Sequence, residues 1–176
     1  GKEEAIRIIE TTELKNDRVL VVYLPDCHES LAGIIAGRIR EKYHRPAFVL
    51  TGGETSTKGS GRSIESYSMY EELVKCADLM IQFGGHPMAA GLSIEEKNIE
   101  EFRRRLNVNC TLTDEELRPK IVIDVPMPVS YITKELVEQI SLLEPFGKGN
   151  TKPVFAQKNL RVLDHSIIGK NKNVVK

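Results

Sequence analysis

Two short apolar runs constrain the fold more than anything else in this chain. Arg18 to Leu24 (RVLVVYL) and Ala47 to Thr51 (AFVLT) are nearly continuous and rich in β-branched residues, which predicts buried strands. Between them lies LAGIIAGRIREKY, which reads as a helix that Ser30 can cap. Leu31, Ile34, Ile35 and Ile39 share one face of it, and Ala32, Gly33, Ala36 and Gly37 permit close packing on a sheet. His44-Arg45-Pro46 ends the helix. A strand, a helix and a strand at this spacing make a βαβ unit with a right-handed crossover, so the expected class is α/β.

In open α/β sheets ligands gather where a strand gives way to a helix. His28 occupies that place. Its position fits a ligand contact and a capping or packing role equally well. Arg38, near the helix C-terminus, reads from its position as a partner for the helix dipole or a surface carboxylate.

The stretch from Lys58 to Leu92 carries the chemistry. It opens with Gly59-Ser60-Gly61-Arg62-Ser63, read as a loop, and closes with Gly84-Gly85-His86, read as a second loop. Met69, Leu73, Ala77 and Met80 or Ile81 recur at helical spacing between them, so a helix ending at Gly84-Gly85 is expected. Glycines let backbone amides approach a ligand, and hydroxyls, arginine and histidine bind phosphate oxygens. The pair of loops predicts a phosphate-binding cleft. Either motif alone equally suits a turn or a helix cap. Ala89 to Ile94 should form a strand.

The remaining elements are ordinary. Glu3 to Glu13 reads as the end of a helix, and Asn98 to Asn109 as an amphipathic helix with Ile99, Phe102 and Leu106 inward. Arg103-Arg104-Arg105 fits a solvated helix face better than a nucleic-acid patch. A compositional shift at Cys110 to Asp114 puts the expected boundary between a domain at 1–112 and a second at 113–176. Thr113-Asp114-Glu115-Glu116 signals a helix start. Lys120 to Val125 and Leu160 to Ile168 read as strands, Thr133 to Leu143 as a helix, and LEPFGKGNTKPVF as a rigid loop leading into a strand. Gly169 to Asn173 suits a hairpin turn.

Lys plus Arg number 25 and Asp plus Glu number 25, which excludes a strongly basic, non-specific nucleic-acid binder but allows a local basic cleft. There is no bilayer-length apolar run and no signal-peptide pattern. Cys27, Cys76 and Cys110 form no Cys-x-x-Cys pair and no zinc spacing, favouring a reducing, cytoplasmic setting. Gly1 in place of Met, and a last segment running into a strand, lead us to expect a piece of a longer protein.

The stretches VLVVYLPDCHESLAGIIAGR, KYHRPAFVL, GSGRSI, FGGHPMAAGL and LEPFGKGNTKPVF, in that order, resemble RecJ-type single-stranded-DNA-specific exonucleases of the DHH phosphoesterase superfamily. The resemblance implies a DHH-associated domain with a mixed sheet and flanking helices, followed by a truncated, β-rich oligonucleotide-binding-fold domain. It implies an upstream DHH domain holding two divalent ions, Mn2+ or Mg2+, and a 5′-to-3′ exonuclease that releases mononucleotides. It gives Ser60 and Arg62 a 5′-terminal phosphate, places Gly84 and Gly85 at the active site, and puts His86 near the phosphate being cleaved. His28 and Arg38 match a histidine and an arginine along the same nucleic-acid path. Cys27-His28-Glu29-Ser30 departs from the family's usual aromatic followed by His-Pro-Gly, and Glu29 would repel a nearby phosphate. The implied partners are single-stranded DNA bearing a 5′-phosphate and a helicase or single-strand-binding protein, with roles in DNA repair and recombination.

The residues leave other readings open. One is a nanoRNA or cyclic-dinucleotide phosphodiesterase of the same superfamily. Another is a non-catalytic nucleic-acid-binding module like the editing-associated C-terminal region of alanyl-tRNA synthetase. In the third, the glycines and His86 are only caps and turns. Asp and His do not cluster at metal-ligand spacing, so the chain by itself is expected to be inactive.

Overall fold

A computed structural model describes residues 1–53, 55–147, 149–169 and 174–175. The chain divides into two compact units, Gly1–Pro119 and Lys120–Lys176. The division falls after Pro119 because the segment beyond Leu112 is tied to the first unit. Leu112 is buried in that unit's core, its carbonyl accepts from Arg18 Nη1 at 2.6 Å, and Asp114 pairs with Arg18 at 2.6 Å.

The first unit is built on a five-stranded mixed sheet. In chain order its elements are α1 (Lys2–Thr11), β1 (Leu20–Leu24), α2 (Glu29–Tyr43), β2 (Ala47–Thr51), β3 (Thr57–Arg62), α3 (Met69–Val74), β4 (Met80–His86), β5 (Ala89–Ile94) and α4 (Ile99–Val108). The strand order is β1-β2-β3-β5-β4. Strands β1 and β2 are parallel, as the βαβ reading requires, and every other pairing in the sheet is antiparallel.

Both faces of β1 and β2 are covered, which is why their sequences are continuously apolar. One face, Leu20, Val22, Leu24, Ala47 and Val49, lies under Ala5 and Ile9 of α1 and Ala32, Ile35, Ala36 and Ile39 of α2. The other, Val19, Val21, Phe48 and Leu50, lies under Met69 and Leu73 of α3 and Phe102 and Leu106 of α4. Phe48 and Phe102 meet edge to face at 5.4 Å between ring centroids. The residues chosen for α2's buried face need correcting. Leu31 and Ile34 are 46% and 64% exposed, and the small residues Ala32 and Ala36 are buried in their place, letting α2 sit close to the sheet. The cap also differs: His28, not Ser30, is the N-cap, its Nδ1 accepting from Ser30 N at 3.3 Å.

The two expected loops are strands. Thr57–Arg62 is β3, because its period of two separates core glycines from outward polar residues. The helix after it stops at Val74, and a 3₁₀ turn at Ala77–Leu79 leads straight into β4, so Gly84-Gly85-His86 lies in a strand and caps no helix. Of the proposed helical stripe only Met69 and Leu73 belong to α3 and are buried. Pairing with β5 decides the rest, with one register shift between Met80 and Gln82.

The second unit contains β6 (Val125–Pro126), α5 (Lys134–Ser141), β7 (Phe155–Ala156), β8 (Ile167–Ile168) and β9 (Val174–Val175). Strands β6 and β7 pair in parallel and β8 and β9 antiparallel. The strands expected over Lys120 to Val125 and Leu160 to Ile168 shrink to two residues each. Their side chains, Ile121 and Leu163 among them, are exposed, and among the described residues of this unit none is buried. At Thr113 the capping box forms, Glu116 N donating to Thr113 Oγ1 at 3.3 Å, but it closes a turn and no helix follows. The helix expected from Thr133 is present, with Thr133 as its N-cap. Residues 170–173 of the expected hairpin turn lie outside the described residues.

Candidate nucleic-acid interface

Part of one sheet face extends past α2, and its position follows from strand parity. Helix α2 shields β2 and reaches β3, but β5 and β4 continue beyond it. Registers place three cross-strand rows on that face: Lys58, Ser93 and Gln82; Ser60, Gly91 and Gly84; Arg62, Ala89 and His86. Successive rows are about 6.8 Å apart along the strands. An open groove of about 530 Å³ runs over the first two rows, walled on its other side by Glu29, Ser30 and Ala32 of α2.

The alternation in Lys58-Gly59-Ser60-Gly61-Arg62 explains both sets of residues. The polar side chains face the groove, and the glycines face the core. A Cβ on Gly61 would stand 2.5 Å from Met69 Sδ and 2.6 Å from Phe48 Cε1, and one on Gly59 would collide with Leu50. These two glycines serve packing, not ligand approach. Gly84 and Gly91 do the opposite: a Cβ at Gly84 would meet nothing within 4 Å, and one at Gly91 only Gly59 O at 3.8 Å. They form a bare floor that a ligand backbone can approach closely.

Arg62 is braced at one end of its guanidinium. Nη1 donates to Gly61 O at 2.8 Å and to Ser60 Oγ at 3.2 Å. Nε and Nη2 have no partner among the described residues. The arginines of the outer helices behave differently: Arg103, Arg104 and Arg105 are all engaged by carboxylates, from Asp17, Glu101 and Asp78. Lys58 donates to Ser93 Oγ at 2.9 Å, and among the described residues neither Lys58 nor Arg62 meets a carboxylate. Two such cations on one face of a strand favour an anion.

His86 ends β4 just before the Pro87-Met88 turn. That turn is pinned to the rest of the unit by Ser63 N donating to Met88 O at 2.9 Å and Met69 N to Pro87 O at 3.0 Å. His86 Nδ1 accepts from Met88 N at 3.3 Å. In the neutral ring this leaves the proton on Nε2, which has no partner among the described residues and is available as a donor. Gly85, at φ +152°, takes a backbone shape that favours glycine, and a side chain there would strike Ala89 O and Ala90.

The structure therefore brings together Ser60, Arg62, Gly84, Gly85 and His86. It does not bring His28 or Arg38 to the groove. His28 caps α2 and lines a separate cavity of about 440 Å³ with Asp26, Cys27 and Leu31. Arg38 is exposed on α2, pairs with Glu41 at 3.0 Å and lines a cleft with Lys2, Glu3 and Ile6 of α1. Lys58, Gln82, Ser93 and Gly91 are groove residues that reading the motifs as loops missed, and the period of two was the signal for them. Among the described residues no group of three or more His, Cys, Asp or Glu could hold a metal ion. Among the described residues Glu29 is the one carboxylate on the groove, and it does not make a donor set for a divalent ion.

Comparison with known proteins agrees with this architecture. The DHHA1 domain model matches residues 16–111, and the RecJ OB domain model matches residues 123–176. The chain belongs to the DHHA1 family, in its RecJ-type form. This RecJ-type chain is 36% identical over 99% of its length to the single-stranded-DNA-specific exonuclease RecJ of Bacillus subtilis, covering 22% of that protein. It superposes on RecJ of Thermus thermophilus in complex with Mg2+ with a TM-score of 0.75 and 28% identity, over 88% of this chain and 24% of the other. The Mn2+ complex of the same protein gives 0.73 and 28%, over 89% and 23%. The RecJ-type chain thus spans about a quarter of the length of these relatives. No helix among its described residues is long and apolar enough to cross a membrane.

Proposed function

We propose that this chain supplies the substrate-phosphate wall of a 5′-to-3′ single-stranded-DNA exonuclease that releases mononucleotides. The observation that best supports this is the row Arg62–Ala89–His86 beside Ser60 and Gly84, on the sheet face where β5 and β4 extend past α2. Arg62, braced through Nη1, grips the 5′-terminal phosphate with Nε and Nη2, while Ser60 holds the guanidinium in place. Gly84 and Gly91 let the strand lie on the sheet. His86 donates from Nε2 to the scissile phosphate, stabilising charge that develops on its oxygen. Holding the strand's end at a set distance from the bond that is cut determines the length of the product.

Hydrolysis in this reading uses divalent ions, Mn2+ or Mg2+, that activate water. The groove's donor set does not fit such ions, so we assign them to a DHH domain elsewhere in the whole protein and route no step through them here. The OB domain, in this reading, guides the strand by charge and base stacking. A helicase or single-strand-binding protein would deliver the substrate. His28 and Arg38, away from the groove, are assigned to more distant contacts along the DNA.

The reading is tested by the affinity of the chain for short single strands with a 5′-phosphate or a 5′-hydroxyl. A preference for the phosphate that Arg62→Ala removes supports it. Equal binding of both strands by wild type and variant sinks it. The chain alone should show no metal-dependent exonuclease activity, and robust activity would overturn the division of labour.

A further inference from the structure

We propose that Gly33, in the middle of α2, is a positioning residue for Arg62: its missing side chain is the slot in which the guanidinium lies. The proposal rests on the reading of Arg62 as the phosphate clamp.

A Cβ built on Gly33 would stand 2.7 Å from Arg62 Nη2, 3.3 Å from Arg62 Cζ and 3.0 Å from Ser60 Oγ. Both clamp residues therefore lie against the helix at this one position. The free edge of the guanidinium, Nη2, is the atom a side chain would strike first. Glycine is a poor helix former and needs a local reason inside a 15-residue helix. Close helix–sheet packing in general does not supply it. Gly37 lies one turn further along α2, and a Cβ there would meet nothing within 4 Å.

The kind of atom struck decides the consequence. At Gly61 a side chain would press on buried Phe48 and Met69, which cannot yield cheaply. At Gly33 it would press on the tip of a long, half-buried arginine, which can swing away. Relief then costs the fold little, but it breaks the brace of Nη1 on Gly61 O and Ser60 Oγ. Gly33 thus acts on the ligand through Arg62 without touching the ligand.

The test compares Gly33→Ala, Gly37→Ala and Arg62→Ala in the full chain. Thermal unfolding, the ratio of affinities for 5′-phosphorylated and 5′-hydroxyl oligothymidylate, and the Arg62 Nε–H resonance in a nitrogen–proton spectrum are measured. Arg62→Ala identifies that resonance by its loss. Gly33→Ala should melt no lower than wild type, shift the Arg62 resonance and reduce the phosphate preference about tenfold. Gly37→Ala should melt no lower and change neither readout. If Arg62→Ala leaves the preference unchanged, the clamp reading fails. If Arg62→Ala removes it while Gly33→Ala behaves like Gly37→Ala, the positioning role fails and the clamp stands. An Arg62 resonance unmoved by Gly33→Ala overturns the proposal whatever the affinities are. So does a Gly33→Ala chain that does not fold, since Gly33 would then be a packing residue.

Discussion

Arg62 and His86 stand at opposite ends of one cross-strand row, each in register with Ala89. Two strand spacings separate their backbones, about 10 Å. The residue in register between them is Ala89, whose side chain is a small methyl group. A larger side chain there would fill the space a phosphodiester needs. Ala89→Leu should lower affinity for 5′-phosphorylated single strands by roughly tenfold, about 1.4 kcal/mol. The melting temperature should stay near that of the wild type, because Ala89 is only partly buried and lies outside the hydrophobic core. Fluorescence anisotropy and thermal denaturation check the two halves, and unchanged affinity would remove the row from the binding surface.

Four of the five glycines of β3, β4 and β5, namely Gly59, Gly61, Gly84 and Gly91, should separate into two classes. Gly61→Ala forces a methyl group onto Phe48 and Met69, both fully buried, and should cost about 1–3 kcal/mol in denaturant unfolding. Gly59→Ala should do the same through Leu50. Gly84→Ala meets open space, so its stability should stay within about 0.5 kcal/mol of wild type. It raises the groove floor, and DNA affinity should fall. Equal stability losses at Gly61 and Gly84 would contradict the assigned faces.

Lys58 stands two rows from Arg62 on the same face. If it meets a second phosphate, Lys58→Ala should weaken single-strand binding and reduce the slope of log K against log salt by about 0.7. Affinity should fall alike for strands with a 5′-phosphate and a 5′-hydroxyl, unlike the effect of Arg62→Ala. A slope equal to that of the wild type would place Lys58 off the DNA.

Glu101 provides an acid-range marker in α4. Hydrogen bonds from Arg104 and then Arg105 hold its carboxyl well below the usual value, at about 2. Because the folded-state value is depressed, the stabilisation is present above about pH 4.5 and is lost as pH falls toward about 2. Any gap in melting temperature between wild type and Glu101→Gln should thus be widest near neutrality and close by the acid end of that window. A carbon-detected titration of the Glu101 carboxyl should have its midpoint near 2, and a midpoint above about 4 would break the assigned pairing. Carboxylates of Asp17 and Asp78 engage Arg103 and Arg105 as well, so each of the three arginines is paired with an acidic side chain.

Much of the first unit was legible before any coordinates. The βαβ unit could be read because strands buried on both faces need continuous apolar sequence, and α4 because Phe102 and Leu106 recur on one side. The motifs at Ser60, Arg62 and His86 were also visible, but as loops around a helix. That error has one cause. Met69, Leu73, Ala77 and Met80 recur at helical spacing, whereas the chain leaves the helix at Val74 and pairs β4 with β5. Long-range hydrogen bonding outweighed local periodicity. In the second unit, alternation over Lys120 to Val125 suggested a strand, yet its side chains are exposed. A pattern of two makes a strand only when something buries its apolar face.

The sequence by itself determined which chemistry is present: a guanidinium, hydroxyls, an imidazole and bare backbone, on motifs with family resemblance. Local composition carries that information because each residue brings its own donors. Only the tertiary structure decided which of these groups meet. Strand register sets Arg62 opposite Ala89 and His86, and helix packing sets Gly33 against Arg62 while leaving His28 and Arg38 elsewhere. Register and packing arise from contacts between residues far apart in the chain, and no short stretch of sequence holds them.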